Sequence, residues 1–157
     1  MTDILVGEDG RARCAWAGAD PEYLRYHDEE WGCPLRGDRP LFEKMSLEGF
    51  QAGLSWITIL RKRPRFREVF AGFEPDAVAA FDEADIERLM GDAGIVRNRA
   101  KIEAVIGNAR LVHAMSPGEL DALIWSFAPQ GHVPPATFSE VPATTAESTA
   151  LSKELRR

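Results

Sequence analysis

Helix start signals recur along the whole chain, and no run of alternating apolar and polar residues separates them. Asp20-Pro21-Glu22 places a capping acid ahead of a proline at the first helical position, and Gly32 is the natural stop after Trp31. Asp38-Arg39-Pro40 opens a second helix carrying Leu41, Phe42, Met45 and Glu48 at spacings near one turn. Ser55 caps a third, and a short helix follows Pro64. Asp82 with Asp85 starts the next, ending near Ala93-Gly94, and Asn98 begins another through Ile102, Val105 and Ile106. Ser116-Pro117-Gly118-Glu119 reads as a capping box, and Thr144-Thr145-Ala146-Glu147 caps a final helix. Residues 129–142, with four prolines, form a wrapped loop. Residues 1–12 read as a flexible leader ahead of one helical domain over 13–157. The expected class is all-α.

At 157 residues, with 45% hydrophobic and 28% charged content, the chain has the length and composition of one soluble globular domain. No window approaches a membrane span, and the N-terminus lacks the basic and apolar regions of a signal peptide, so the expected compartment is the cytoplasm. A monomer is expected. Cys14 and Cys33 agree with reducing surroundings better than with a disulfide. A net charge of −6 argues mildly against nucleic acid. Its distribution argues the other way, since basic residues gather at 61–67 and at 97–101.

Four groups of residues carry chemical potential. In Leu47-Glu48-Gly49-Phe50-Gln51-Ala52-Gly53-Leu54-Ser55-Trp56 a single carboxylate sits among apolar and small residues, where an unpaired buried charge costs several kcal/mol. Glu48 therefore needs a partner, either a neighbour's amides in a plain core helix or a ligand. Gly49 and Gly53 share a face if the helix continues and would admit a flat ligand. Trp16, Tyr23, Tyr26, Trp31 and Trp56 all lie before residue 57, as core packing or as a stacking surface. Cys14 and His27 have the spacing of half a tetrahedral zinc site, but Cys33, His113 and His132 have no paired spacing, and a buried thiol with a surface imidazole is the simpler account. The turn at Gly94 between two helices, with Arg97, Arg99 and Lys101 beyond it, is either an ordinary helical hairpin or a phosphate-binding one.

Cys14-Ala15-Trp16, the run from Asp20 through Gly32, Leu47 through Ile57, Asp92 through Ile102, Gly107 through Arg110, Trp125 through Phe127 and Ala150 through Lys153 together closely resemble the DNA-3-methyladenine glycosylase I family. The resemblance runs from residue 13 to the end. It implies a helix–hairpin–helix DNA glycosylase fold acting in base excision repair on double-stranded DNA, by hydrolysis of the N-glycosidic bond of 3-methyladenine. It further implies Glu48 as the catalytic carboxylate, Tyr26 and Trp56 lining the base pocket with Tyr23 and Trp31 close by, and Cys14 and His27 as two of four ligands to a structural zinc. In one respect the chain departs from the family, whose members continue past the position of Arg157 with a segment supplying the other two ligands, a His and a Cys. The rival reading is a non-catalytic helical domain that binds damaged DNA or a free purine.

Overall fold

A computed structural model of the chain describes residues 3–131 and 133–156; His132, one of the spare candidate ligands, lies outside them. The described residues fall into two compact units, one built from the N-terminal part to Pro34 with the segment from Ala122 onward, the other from Leu35 to Asp121.

The first unit begins with a two-stranded antiparallel hairpin, β1 (Ile4–Val6) paired with β2 (Ala12–Cys14), Leu5 opposite Arg13. Residues 4–12, expected to lie within a flexible leader over 1–12, thus form most of a paired hairpin. Charge rather than apolar alternation holds the hairpin, since Ile4, Leu5 and Val6 are all exposed. The Arg13 guanidinium, itself buried, donates to Asp9 at 2.6 and 2.9 Å and to Asp28 at 2.6 and 2.8 Å. Helix α1 (Pro21–Glu29) follows, with the Asp20 carboxylate accepting from the amides of Glu22 and Tyr23 as the sequence predicts. At its other end the unit contains α8 (Ala146–Glu154), closed by a reciprocal capping box between Thr145 and Ser148. The proline-rich stretch before α8 holds one short 3-10 turn at Phe138–Glu140.

The second unit is a helical core. Helix α2 (Asp38–Gln51) packs against α3 (Trp56–Val69) through phenylalanines, with the Phe50 and Phe66 rings 4.6 Å apart and Phe70 stacked on Phe73 at 5.4 Å. All four rings are fully buried. A helix α4 (Pro75–Ala79) that the start signals did not separate comes next, then α5 (Glu83–Met90) and α6 (Arg99–Ala114). The Asp82–Asp85 capping box and the Asn98 cap form where expected. Helix α7 (Glu119–Trp125) starts on amides that the Asp38 carboxylate accepts from Gly118 and Asp121, at 2.6 and 2.9 Å.

Pro64 does not begin a helix; α3 runs through it. A proline inside a helix forfeits one backbone hydrogen bond. The burial of Ile59, Leu60, Phe66 and Val69 along one stripe offsets that loss, so tertiary packing overrides the local signal.

Candidate active site

The stretch around Glu48 is the end of α2, a tight turn and the start of α3. The helix stops at Gln51, and the Leu54 amide returns to the Gln51 carbonyl at 2.6 Å. Gly53 sits at the third position of this turn with φ of 82°, a conformation that strongly favours glycine. The two glycines therefore do not share a helical face. Ser55 occupies the capping position of α3 but bonds the Thr58 hydroxyl at 2.8 Å instead of an amide, and Trp56 is the first helical residue.

Glu48 is not buried, contrary to the premise that it is an acid hidden in the core. Leu47 and Phe50 take the core side of α2, which turns Glu48 outward and leaves its side chain 47% exposed. Its partner is Lys44, one turn earlier, whose Nζ lies 2.8 Å from Oε1. The same ammonium stands over the Trp56 ring, 3.9 Å from its centroid. Carboxylate and indole thus share one cation, the arrangement an ion pair and a cation–π contact favour together. Lys44 lies one turn before Glu48, an i,i+4 spacing that the sequence itself carries, but its place over Trp56 depends on how α2 and α3 pack.

The turn is held from behind by Lys101, whose Nζ donates to the carbonyls of Phe50 at 3.0 Å and Ala52 at 2.6 Å. These are carbonyls at the C-terminus of α2, where a cation is favoured. Lys101, expected on DNA, is a residue that positions the Glu48–Trp56 turn.

The other expected DNA contacts divide in the same way. Arg99 is clamped by Glu83 at 2.8 Å, by Glu87, and more loosely by Glu103 at 3.4 Å, which ties α6 to α5 and holds its guanidinium more firmly protonated than usual, the Glu83 hydrogen bond contributing most. The Gly94 amide donates to Asp92 Oδ1 at 2.7 Å, and Arg65 Nη2 holds Oδ2 of the same carboxylate at 2.7 Å. Arg65, then the Gly94 amide, pull the Asp92 carboxyl below the usual carboxylate range. Glycine is needed at 94 because a Cβ there would stand 2.6 Å from Arg65 Cγ and 2.9 Å from Asp92 Oδ1. Arg97 is exposed between the turn and α6.

Aromatic residues of the first unit gather around Trp16. Its ring lies 5.6 Å from Tyr23 and 5.4 Å from Trp31, both nearly edge to face, and 6.4 Å from Tyr26. Trp31 also stacks on His27 at 5.6 Å, with 18° between the planes. Tyr26 is buried, whereas Trp31 is 43% exposed. Trp16, which the sequence places among these aromatics but which the resemblance does not assign to the base, is the hub of the cluster.

Cys14 and His27 also meet, but through the backbone: the Cys14 amide donates to His27 Nε2 at 3.2 Å, while Nδ1 faces Asp28 Oδ1 at 3.1 Å. Cys33 is an exposed free thiol and His113 Nδ1 pairs with Asp76 at 2.7 Å. Among the described residues no three His, Cys, Asp or Glu side chains are grouped to hold a metal ion. A structural zinc takes four ligands, and the two present, one with its Nε2 already engaged, do not fit such a site by themselves.

The chain belongs to the methyladenine glycosylases, whose family description matches residues 16–157. It is 50% identical over 151 residues to DNA-3-methyladenine glycosylase 1 of Escherichia coli (strain K12), an alignment covering 92% of this chain and 80% of that protein. A crystal structure of 3-methyladenine DNA glycosylase I superposes with a TM-score of 0.84 at 46% identity, over 92% of this chain and 81% of the other. A tyrosine-to-phenylalanine variant of a 3-methyladenine DNA glycosylase I, solved in complex with 3-methyladenine, superposes with a TM-score of 0.81 at 36% identity, over 92% and 80%.

Proposed function

We propose that this chain removes 3-methyladenine from alkylated double-stranded DNA by hydrolysing its N-glycosidic bond, the first step of base excision repair. The observation that carries the reading is that Glu48 and Trp56 already hold a cation between them, in the form of the Lys44 ammonium. Methylation at N3 makes the adenine of a nucleotide cationic and a good leaving group, so the enzyme has little chemistry to supply beyond recognising that cation. A base swung out of the duplex presents its positive ring to the Trp56 face, a contact worth roughly 0.5 to 2 kcal/mol. Glu48 accepts a hydrogen bond from the exocyclic amine and favours the charged base over neutral adenine. Guanine presents a carbonyl oxygen at the corresponding position, which a carboxylate repels. The resemblance assigns Tyr23, Tyr26 and Trp31 to base binding as well.

DNA is held by the hairpin that α5, the Gly94 turn and α6 make, read as the helix–hairpin–helix of the fold, with Arg97 as the exposed cation beside it. Helix α6 contains no aspartate, which suits a monofunctional enzyme that uses water as the nucleophile and leaves an abasic site. A zinc role for Cys14 and His27 stands on the resemblance alone and enters no step.

The test is excision of 3-methyladenine from alkylated duplex by the wild type and by Glu48→Gln, which keeps size and removes charge. The wild type is expected to release the base. The variant is expected to lose its preference for the alkylated base over normal adenine while still binding duplex. Wild-type excision by the variant would take Glu48 out of the mechanism, and no excision by the wild type would leave a binding domain.

A further inference from the structure

Lys44 sits where the proposed substrate should sit. Its Nζ contacts Glu48 Oε1 at 2.8 Å and the Trp56 ring at 3.9 Å, which are the two contacts proposed above for a cationic base. Lys44 precedes Glu48 by one turn on the outward face of α2, and its side chain is 37% exposed, so its flexible four-carbon stem has solvent to swing into. Exposed pairs of this kind are weak, and neither contact is locked by burial. From this geometry, and resting on the function proposed above, we propose that Lys44 is a built-in competitor for the base subsite: its ammonium fills the cation position in the free protein and is displaced by the alkylated base.

Two consequences follow from the charge balance. While Lys44 is in place Glu48 keeps a counter-charge and Trp56 keeps its face covered, so the subsite does not stand open to any passing base. A cationic base replaces one positive charge with another, whereas neutral adenine evicts the ammonium and leaves the carboxylate without a cation. Lys44 thus sets a threshold that favours the alkylated base, at the expense of absolute affinity.

Calorimetric titration with 3,9-dimethyladeninium, a permanently cationic mimic of the methylated nucleobase, tests this. Lys44→Met keeps the length of the side chain and removes the charge. It should bind the probe roughly three- to thirtyfold more tightly than the wild type, the range set by one exposed ion pair plus one cation–π contact. Lys44→Arg keeps the charge and should stay near the wild type. In a Glu48→Gln background the gain from Lys44→Met should shrink, since half of the competition is removed. Equal or weaker binding by Lys44→Met, or the same gain from Lys44→Arg, would overturn the proposal while leaving excision of 3-methyladenine by the wild type intact. A wild type that neither binds the probe nor excises the base would overturn the proposed function and this inference with it.

Discussion

Single side chains decide how the candidate site is presented, and Asp92 shows how closely charge and backbone are tied. Its carboxylate accepts from the Gly94 amide on one oxygen and from Arg65 on the other, and these bonds hold its titration below the ordinary value of 3.8. A carboxyl depressed in the folded state contributes stability that is complete above its unfolded value and is lost as pH falls through its folded value. Acidification below pH 3.8 should therefore loosen the turn before α6, seen as faster amide exchange at Gly94. Asp92→Asn should remove that pH step and leave exchange at Gly94 fast throughout. Retention of the step in the variant would assign it to another group. Lys101 makes the same point from the other side: a lysine that the sequence offered to phosphate instead closes the carbonyl end of α2 behind Glu48.

Elements were legible in the sequence to the extent that their signals are local. Asp20, Asp82, Asn98 and Thr145 each cap the helix they were expected to start, because a capping oxygen reaches amides only two or three residues away. Signals that depend on distant partners misled. The Pro64 break is overruled by core packing along α3, the Arg13 clamp on β1 and β2 depends on Asp28 in α1, and Arg99 finds Glu83 and Glu87 on a different helix. Glu48 has a different environment from the buried one its sequence neighbours suggest, since its outward direction is set by Leu47 and Phe50. The hairpin of α5 and α6 yields a prediction at this scale. Arg97→Ala should weaken binding to any duplex alike and reduce the slope of log affinity against log salt by about one, as expected for one lost phosphate contact. Arg99→Ala should instead lower the melting temperature, by releasing Glu83 and Glu87 from α6, and leave that slope unchanged. The reverse assignment of the two effects would place the DNA against α5 and α6 rather than against the turn.

For the whole molecule the open question is what holds the N-terminal hairpin to α1, a metal or an organic clamp. The resemblance assigns Cys14, at the end of β2, and His27, in α1, to a zinc site. Such a site contributes roughly 10 to 16 kcal/mol in zinc-finger peptides, but only with four ligands closed around the ion. Side chains also tie the same two elements together. Arg13 on β2 grips Asp28 on α1 through two bonds and Asp9 in the hairpin turn through two more, and the Cys14 amide donates to His27 Nε2. If this clamp is what holds the hairpin, the purified 157-residue chain should carry well under one zinc per chain by elemental analysis, and a chelator should not move its melting temperature. Cys14→Ala should cost little, whereas Arg13→Met should lower the melting temperature and free the hairpin amides to exchange. One tightly held zinc per chain, lost in Cys14→Ala or His27→Ala, would show that the metal rather than Arg13 joins β2 to α1.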